Sequence, residues 1–361
     1  MELLEWMSRG GHEAVLAVQD EASGLRAWIA LHDTRRGPAY GGIRVWRYRD
    51  EEDALLDALR LSRVMTWKCV LAGVPGGGGK TVVLADRLRD RPAAMAVLGE
   101  RIDELGGRYR AGPDAGFTAA DGVALTRRTR WFAHDTASGL RPAGEATAEG
   151  ALWGLRAALS HVRRGPLPAD AEEPPGESLE GVTVAVQGLG SVGLALARRL
   201  LEEGARVLGA DPDPVRVREA AAAGVQIVDP GAILEAPAEV FAPCALGGTL
   251  HDLSIQKLQA RIVAGCANNI LARGEHAALL RRRGILFVPD FVLNSGALIE
   301  GTGHEQSGRT CFDEELRRIG LVTARVLARA EAEDCTTVEA AVAMARELLE
   351  AEREAAADGE A

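Results

Sequence analysis

The sequence has few cysteines, no long apolar segment and no block of basic residues. Its five cysteines are scattered, odd in number and never spaced as C-x-x-C, which argues against both a disulfide framework and a zinc site. No stretch approaches about eighteen uninterrupted apolar residues, and charges interrupt the N-terminal residues where a signal peptide requires an apolar run. We therefore expect a cytoplasmic protein without a metal site or a membrane partner.

Charge and length narrow the class further. The net charge is −10 and the chain has no basic block, so a nucleic acid is not expected as a partner. With 361 residues, 47% of them apolar and 26% charged, the chain should fold into two soluble domains. The expected partner is a small molecule.

The pattern of apolar residues predicts an α/β protein. Strand-like runs at 14–20 and 25–33 precede a helical periodicity over 51–70, which follows an acidic start. Residues 163–180 are rich in proline and acidic residues and are predicted to form an exposed loop. From Cys311 onward two amphipathic helices are expected.

Two lysines flank a run of four glycines in the segment MTWKCVLAGVPGGGGKTVVL. Lys68 and Lys80 lie on either side of residues 76–79, and Gly-Lys-Thr at 79–81 first suggests a phosphate-binding loop. That loop requires a glycine where this chain has Val74, and a helix where this chain continues with a β-branched run. A nucleoside triphosphate site is therefore disfavoured, and a tight turn with two solvated lysines stays open as an alternative.

A second glycine-rich segment predicts a dinucleotide site. An apolar strand leads into Gly188-x-Gly190-x-x-Gly193, then a helix, then a strand that ends at Asp211. The first glycine permits the tight turn, the second admits a pyrophosphate and the third lets the helix pack closely. Asp211 would bind the adenosine ribose and repel a 2′-phosphate, so NAD is favoured over NADP. A glycine-rich turn without ligand is the alternative.

A dinucleotide gives the lysine segment a chemical context. An enzyme that transfers hydride must hold its substrate against the nicotinamide. The glycines at 76–79 would let substrate and nicotinamide lie close to the main chain. Asp114, in another stretch of small residues, is a candidate proton shuttle, although an aspartate before such residues is often only a turn former.

Several motifs together resemble one family, the amino-acid dehydrogenases for glutamate, leucine, valine and phenylalanine, and most of all its branched-chain and aromatic branch. The resemblance runs from about His12 to the C-terminal helices. Its carriers are Gly37–Arg44, Met65–Lys68, Gly77–Lys80, Asp114, Gln187–Gly190, Phe241–Gly247, Ala264–Asn269 and Pro289–Gly296.

The resemblance implies the reversible oxidative deamination of an apolar L-amino acid, branched-chain first, to its 2-oxo acid and ammonium with NAD. Lys68 would bind the α-carboxylate, and Asp114 would exchange protons with the amino nitrogen. Lys80, crowded by another cation and dehydrated, would have a lowered pKa and activate the water that attacks the imine left by hydride transfer. The carbinolamine so formed would then collapse to products.

The same resemblance implies further contacts and an architecture. The remaining substrate-binding candidates are Tyr40, Gly41, Met65, Asn269 and Val292. The cofactor-binding candidates are Thr147, Gly188, Gly190, Ser191, Val192, Gly193, Asp211, Cys244, Ala245 and Asn268. A substrate domain at 1–140, completed by a helix at about 335–361, would face a Rossmann domain at 141–334 across a cleft, in a homo-oligomer of unfixed size.

Some positions depart from the family pattern and leave alternatives open. Tyr40 replaces an aliphatic residue, Ala297 adds a methyl group, and the segment 136–146 lacks the usual approach to Thr147. Tyr40 supplies no cation for a distal carboxylate, so glutamate should be a poor substrate, unless the tyrosine turns outward. An aromatic amino-acid dehydrogenase, a 2-hydroxy-acid oxidoreductase and a catalytically inactive NAD-binding protein remain as alternatives.

Overall fold

A computed structural model describes residues 3–133 and 139–359, with side chains described as far as residue 351. The chain forms two compact units, Met1–Asp135 and Thr136–Ala361. Both mix helices with a sheet, which confirms the predicted two-domain α/β class. Among the described residues, no helix is long and apolar enough to cross a membrane.

The first unit contains a five-stranded mixed sheet in the order β1-β2-β4-β3-β5. Strand β2 is antiparallel to β1 and β4, whereas β3 is parallel to both β4 and β5. Its elements are α1 (Leu3–Gly10), β1 (Ala14–Asp20), β2 (Leu25–Leu31), β3 (Ala39–Trp46), α2 (Glu51–Leu71), β4 (Gly77–Leu84), α3 (Arg91–Glu104), β5 (Tyr109–Pro113) and α4 (Ala119–Thr126).

Helix α2 carries Lys68 and lies directly on β4. It begins where the Asp50 side chain accepts a hydrogen bond from the Asp53 backbone amide, and three acidic residues occupy its first turn. A Cβ atom on Gly78 would overlap the Ser62 carbonyl oxygen and the Thr66 backbone nitrogen. The helix therefore reaches the sheet only because position 78 has no side chain.

The same packing accounts for the other glycines of the run. A Cβ at Gly77 would overlap the Asp33 backbone, and a Cβ at Gly76 or Gly79 would overlap the ring of Tyr40 or Tyr109. Protein atoms therefore fill the space beside all four glycines. The run brings helix, strands and aromatic rings together, which explains the four glycines by packing, and the expectation that substrate and nicotinamide lie beside it stays a prediction.

The second unit contains a six-stranded parallel sheet in the order β11-β10-β9-β6-β7-β8. The chain reverses direction across the sheet between β6 and β9, and ligands of such sheets bind at the carboxyl ends of the strands at this reversal. Its elements are α5 (Ala143–Arg164), β6 (Thr183–Gln187), α6 (Ser191–Glu202), β7 (Arg206–Ala210), α7 (Pro214–Ala222), β8 (Gln226–Ile227), β9 (Val240–Pro243), α8 (Asp252–Lys257), β10 (Ile262–Val263), α9 (His276–Arg282), β11 (Leu286–Phe287), α10 (Asp290–Leu293), α11 (Gly296–Ser307), α12 (Asp313–Ala332) and α13 (Thr337–Gly359).

The loop predicted at 163–180 is present but begins two residues later. Helix α5 continues to Arg164, and the following segment has neither helix nor strand until β6. The loop is not wholly exposed, because Leu179 is buried in the core and the Glu177 carboxylate is held by Arg163 and Arg164. These contacts fasten the loop to the end of α5.

The two amphipathic helices predicted after Cys311 are α12 and α13. Helix α13 groups with the second unit, whereas we predicted that it completes the first domain. The reason lies in its apolar face: Ala340, Ala341 and Ala345 are fully buried, and Glu347 pairs with Arg329 of α12 at 2.6 Å. The Glu347–Arg329 pair therefore ties this helix to α12 of the second unit.

Candidate active site

The parallel register of the first sheet places the candidate catalytic residues on one face. Tyr40 of β3 pairs with Gly78 of β4, and residues paired in this way point to the same side. Lys80 follows two positions after Gly78 and shares that side, as does Arg44 on β3. Asp114 comes directly after β5, the other neighbour of β3. Helix α2 covers this face through its contact with Gly78.

Lys80 and Asp114 form a buried ion pair, with Nζ 2.6 Å from Oδ2. Lys80 is only 6% exposed. A Cβ on Gly42 would lie 2.8 Å from Asp114 Cβ and 3.4 Å from Lys80 Nζ, too close for an unchanged pair. The bare backbone at position 42 therefore leaves the room in which the lysine and the carboxylate meet.

Arg44 joins the same carboxylate and links it to a second one. Its Nε donates to Asp114 Oδ2 at 2.9 Å, and its Nη1 donates to Asp57 Oδ2 at 3.0 Å. Asp57, on α2, also accepts from the Tyr48 hydroxyl at 2.7 Å and from Arg60 at 2.7 Å. We call Lys80, Asp114, Arg44 and Asp57 the charge chain.

The charge chain shifts the pKa values of its members. Burial lowers the pKa of the Lys80 ammonium, Asp114 offsets part of this effect and Arg44 lowers the pKa further. Burial acts to raise the pKa of Asp114, but the Lys80 and Arg44 cations outweigh it and hold that pKa well below its usual range. Lys80 is thus adapted to release a proton while Asp114 stays ionised.

The remaining substrate candidates of this unit lie on β3 and α2. Tyr40 is 6% exposed, which excludes the alternative in which its ring turns into solvent. The Gly41 carbonyl accepts a hydrogen bond from the buried Tyr109 hydroxyl at 2.9 Å. Met65 and Lys68 are half-buried and one turn apart near the end of α2, so they share a helix face.

A buried histidine supports the helix that carries Lys68. His32 Nδ1 lies 2.8 Å from the Thr66 hydroxyl, and its Nε2 lies 3.0 Å from the Gly10 carbonyl oxygen. Burial and the neighbouring His12 lower the pKa of His32 to about 4, so the ring is neutral at physiological pH. This segment is therefore fixed by uncharged hydrogen bonds.

Sequence reasoning missed Arg44, Asp57 and Tyr48 as members of the site. In the sequence Arg44 is only the last residue of a motif, and Asp57 lies on a helix whose other acidic residues occupy its first turn. The rarity of lysine in the chain is a further signal that Lys68 and Lys80 belong to the site. The chain contains 3 lysines against 39 arginines, and two of the three are Lys68 and Lys80. An amine can lose its proton and a guanidinium cannot, which favours Lys80 as a proton-transfer group in so arginine-rich a chain.

In the second unit, the glycine-rich turn fits a dinucleotide. Gly188 has φ of +89°, which favours glycine, and a Cβ on Gly193 would overlap the Gly188 carbonyl oxygen. Gly190 precedes the first turn of α6, where Ser191 is exposed and Val192 half-buried, and as the N-cap residue it has no side chain to cap the backbone amides. A helix start of this kind can receive a pyrophosphate.

Asp211 lies at the end of β7 beside this turn and is 5% exposed. Its carboxylate accepts hydrogen bonds from the backbone amides of Leu189 and Asp213, both at 2.8 Å. Burial acts to raise its pKa, but these amides and Arg216 lower it, so the group stays charged at neutral pH. The Arg216 guanidinium lies 3.5 Å from Asp211, a neighbour that the sequence argument had not included.

The other cofactor candidates follow β9 and β10 or begin α5. Cys244 is half-buried and Ala245 exposed directly after β9. The Asn268 side-chain oxygen accepts from Asn294 at 2.7 Å. The Thr147 hydroxyl donates to the Ala143 carbonyl oxygen at 2.8 Å within α5.

Two substrate candidates belong to the second unit. Asn269 adopts a left-handed backbone with φ of +53°, and its amide donates to the Asp290 carboxylate. Val292 on α10 is 2% exposed. Asp290 and Asn294 were quoted only within a motif, and they hold both asparagine positions. Of the departing segment 136–146, residues 136–138 lie outside the described residues.

Comparison with known proteins agrees with the motifs. Residues 12–138 match the family model described as Glu/Leu/Phe/Val dehydrogenase, dimerisation domain, and residues 212–355 match that of Glutamate/Leucine/Phenylalanine/Valine dehydrogenase. Residues 149–258 also match the NAD binding domain of D-isomer specific 2-hydroxyacid dehydrogenases.

Individual relatives cover nearly the whole chain. A leucine dehydrogenase from Geobacillus stearothermophilus is 39% identical over 98% of this chain and 95% of its own length. A phenylalanine dehydrogenase from Bacillus thermotolerans is 35% identical over 97% and 91%. The crystal structure of L-tryptophan dehydrogenase from Nostoc punctiforme superposes with a TM-score of 0.80 at 34% identity, covering 97% of this chain and 99% of that one. The chain belongs to the Glu/Leu/Phe/Val dehydrogenase family, as its motifs predicted.

Proposed function

We propose that the protein is an NAD-dependent amino-acid dehydrogenase that reversibly deaminates an apolar L-amino acid to its 2-oxo acid and ammonium. The observation that carries this proposal is the buried Lys80–Asp114 pair, with 2.6 Å between Nζ and Oδ2. A lysine with a lowered pKa in direct contact with a carboxylate supplies two groups for the two proton transfers of deamination.

Each residue would have a distinct task. Lys68 would bind the α-carboxylate through its ammonium charge, and Asp114 would hold and exchange the proton of the amino nitrogen. Lys80 would take a proton from the water that hydrolyses the imine, since burial and Arg44 lower its pKa. NAD, when bound, supplies the hydride acceptor. Gly188, Gly190, Gly193 and Asp211 would hold its phosphates and adenosine ribose.

The substrate side chain is proposed to be apolar, branched-chain first and aromatic second. Tyr40 stands where a cation would be needed for a distal carboxylate, and its buried ring lies against Gly76. The names of the relatives support this class, because they include leucine, phenylalanine and tryptophan dehydrogenases. Glutamate would leave its second carboxylate without a positively charged partner from this position.

Two other functions are less well supported. The 2-hydroxyacid dehydrogenase model matches only residues 149–258, within the NAD-binding unit, whereas residues 12–138 match the amino-acid dehydrogenase family. An inactive NAD-binding protein would have no use for a lysine and an aspartate buried together at 2.6 Å.

The test is NADH formation with each of the twenty L-amino acids, followed by NADH oxidation with the matching 2-oxo acids, with and without ammonium. We expect leucine, isoleucine and valine to be turned over fastest, and NADH oxidation to require ammonium. Oxidation without ammonium would instead indicate a 2-hydroxy-acid enzyme. No turnover with any substrate would indicate an inactive protein.

We also propose that the first unit binds the amino acid, that the second binds NAD, and that the protein is a cytoplasmic homo-oligomer. Strand β1 is an edge strand of the first sheet, and Leu16 on it is 36% exposed. The family model over this unit is described as a dimerisation domain. Light scattering should give a mass that is a multiple of 38.2 kDa, and a monomer would contradict this part of the proposal.

A further inference from the structure

Arg44 occupies an unusual position between two carboxylates. Its Nε lies 2.9 Å from Asp114 Oδ2, the same oxygen that Lys80 contacts at 2.6 Å, and its Nη1 lies 3.0 Å from Asp57. The Arg44 and Asp57 side chains are each 15% exposed. Two cations thus converge on one carboxylate oxygen, in a site with little water to screen them.

We propose that Arg44 and Asp57 are positioning residues that set, in opposite directions, how readily Lys80 loses its proton. This inference rests on the proposed function of Lys80. Arg44 repels the Lys80 ammonium and shares its counter-ion, so it favours the neutral amine. Asp57 partly neutralises Arg44 and adds negative charge, so it favours the ammonium.

The surroundings of the charge chain support opposite effects. Asp57 acts to raise the pKa of Lys80, whereas Arg44 acts to lower it. Among the described residues, the titratable and charged groups beside the charge chain include Tyr48, from the segment between β3 and α2, and Arg60 on α2, which both hold Asp57. They also include Tyr109 of β5, whose pKa is raised by burial and further by Asp114. The Arg44 guanidinium bridges the two carboxylates because it has two N–H groups that point in different directions. The single ammonium group of a lysine would not reproduce both contacts in full.

The first experiment is the pH dependence of kcat/KM for deamination, whose acid limb reports the protonation of the Lys80–Asp114 pair. Arg44→Gln should move this limb to higher pH by about one unit, and Asp57→Asn should move it to lower pH. Arg44→Lys keeps the charge, and it should return the limb toward the wild-type position at a reduced kcat.

Arg91 provides a matched control for loss of stability. It forms a comparable ion pair with Asp121 at 2.6 Å in the same unit, outside the charge chain. Arg91→Gln should lower Tm to a similar degree as Arg44→Gln and leave the acid limb unmoved. If Arg44→Gln and Asp57→Asn both leave the limb in place, or move it in the same direction, the proposal is wrong.

The second experiment does not depend on turnover. Lysine is so rare here that Lys68, Lys80 and Lys257 are the only side-chain amines for acetic anhydride to acetylate. Mass spectrometry of peptides gives the acetylation of Lys80 against pH, with exposed Lys257 as the internal reference. The midpoint should rise in Arg44→Gln and fall in Asp57→Asn. Shifts seen here without amino-acid turnover would refute the proposed function alone, and unmoved midpoints in an active enzyme would refute this inference alone.

Discussion

The two candidate sites, one in each unit, are built by different means. In the first unit, four charged side chains are held together on one face of a sheet, within 2.6 to 3.0 Å of their partners. In the second unit, the dinucleotide turn depends on glycines, because a Cβ at Gly188 or Gly193 would overlap neighbouring atoms. The site in the first unit should therefore be most sensitive to substitutions that change charge, and the turn in the second unit to substitutions that change side-chain volume.

Removal of the base should have the largest effect. Lys80→Ala should lower kcat by roughly 10² to 10⁴, the range for a positioned proton-transfer group, while NADH still binds. Lys80→Arg should be nearly as inactive, because the guanidinium keeps the charge but does not release a proton. Steady-state kinetics and NADH fluorescence titration measure both quantities.

Lys257 supplies the control for this prediction. It pairs with Glu235 at 3.0 Å on the surface of the second unit, so Lys257→Ala should leave kcat unchanged. A Lys80→Ala protein that kept most of the wild-type kcat would show that the base lies elsewhere.

The two candidate sites also differ in what could be predicted from the sequence. The dinucleotide turn is local: three glycines, a strand and a helix lie within a few residues of one another, so spacing alone identifies it. Lys80 and Asp114 lie 34 residues apart, and Arg44 and Asp114 lie 70 apart. The resemblance to a family pointed to the first pair. The Arg44 contacts depend on the register of β3, β4 and β5 and on where α2 crosses them, which no local pattern specifies.

A larger side chain in the glycine-rich turn of the second unit should have the second-largest effect. In Gly193→Ala the new methyl group would overlap the Gly188 carbonyl oxygen and shift the turn. The Kd for NADH should rise about 10- to 100-fold, equivalent to about 1.4 to 2.7 kcal/mol. Gly301→Ala is the matched control, since Gly301 also lies in a helix but nothing surrounds its Cβ position within 4 Å. Equal NADH affinity in the two variants would contradict the role of Gly193.

A change of charge in the second unit should have a smaller effect, confined to cofactor choice. Asp211→Asn keeps an acceptor for the Leu189 amide but removes the charge that repels a 2′-phosphate. The ratio of kcat/KM for NADP to that for NAD should rise about tenfold, because Arg216, 3.5 Å away, then faces the phosphate without a competing anion.

Two further variants separate the roles of these charges. Adding Arg216→Ala to Asp211→Asn should reverse most of the gain with NADP. Asp213→Ala should have less effect, since the Asp213 side chain is 42% exposed. An unchanged NADP-to-NAD ratio in Asp211→Asn would show that its charge does not select the cofactor.

The smallest expected effect concerns the substrate side chain. It comes from a change of side-chain volume on the charged face of the first unit. Tyr40 shares that face with Arg44, and its ring lies where a Cβ on Gly76 would be. Tyr40→Leu removes the ring and should lengthen the pocket, so kcat/KM for leucine should rise relative to valine. One methylene in such a pocket is worth about 1 to 3 kcal/mol, so we expect about a fivefold change in the ratio. Tyr48→Phe is the control, because Tyr48 contacts Asp57 and should alter both rates alike. An unchanged leucine-to-valine ratio in Tyr40→Leu, or fast turnover of glutamate by the wild type, would show that Tyr40 does not define the pocket.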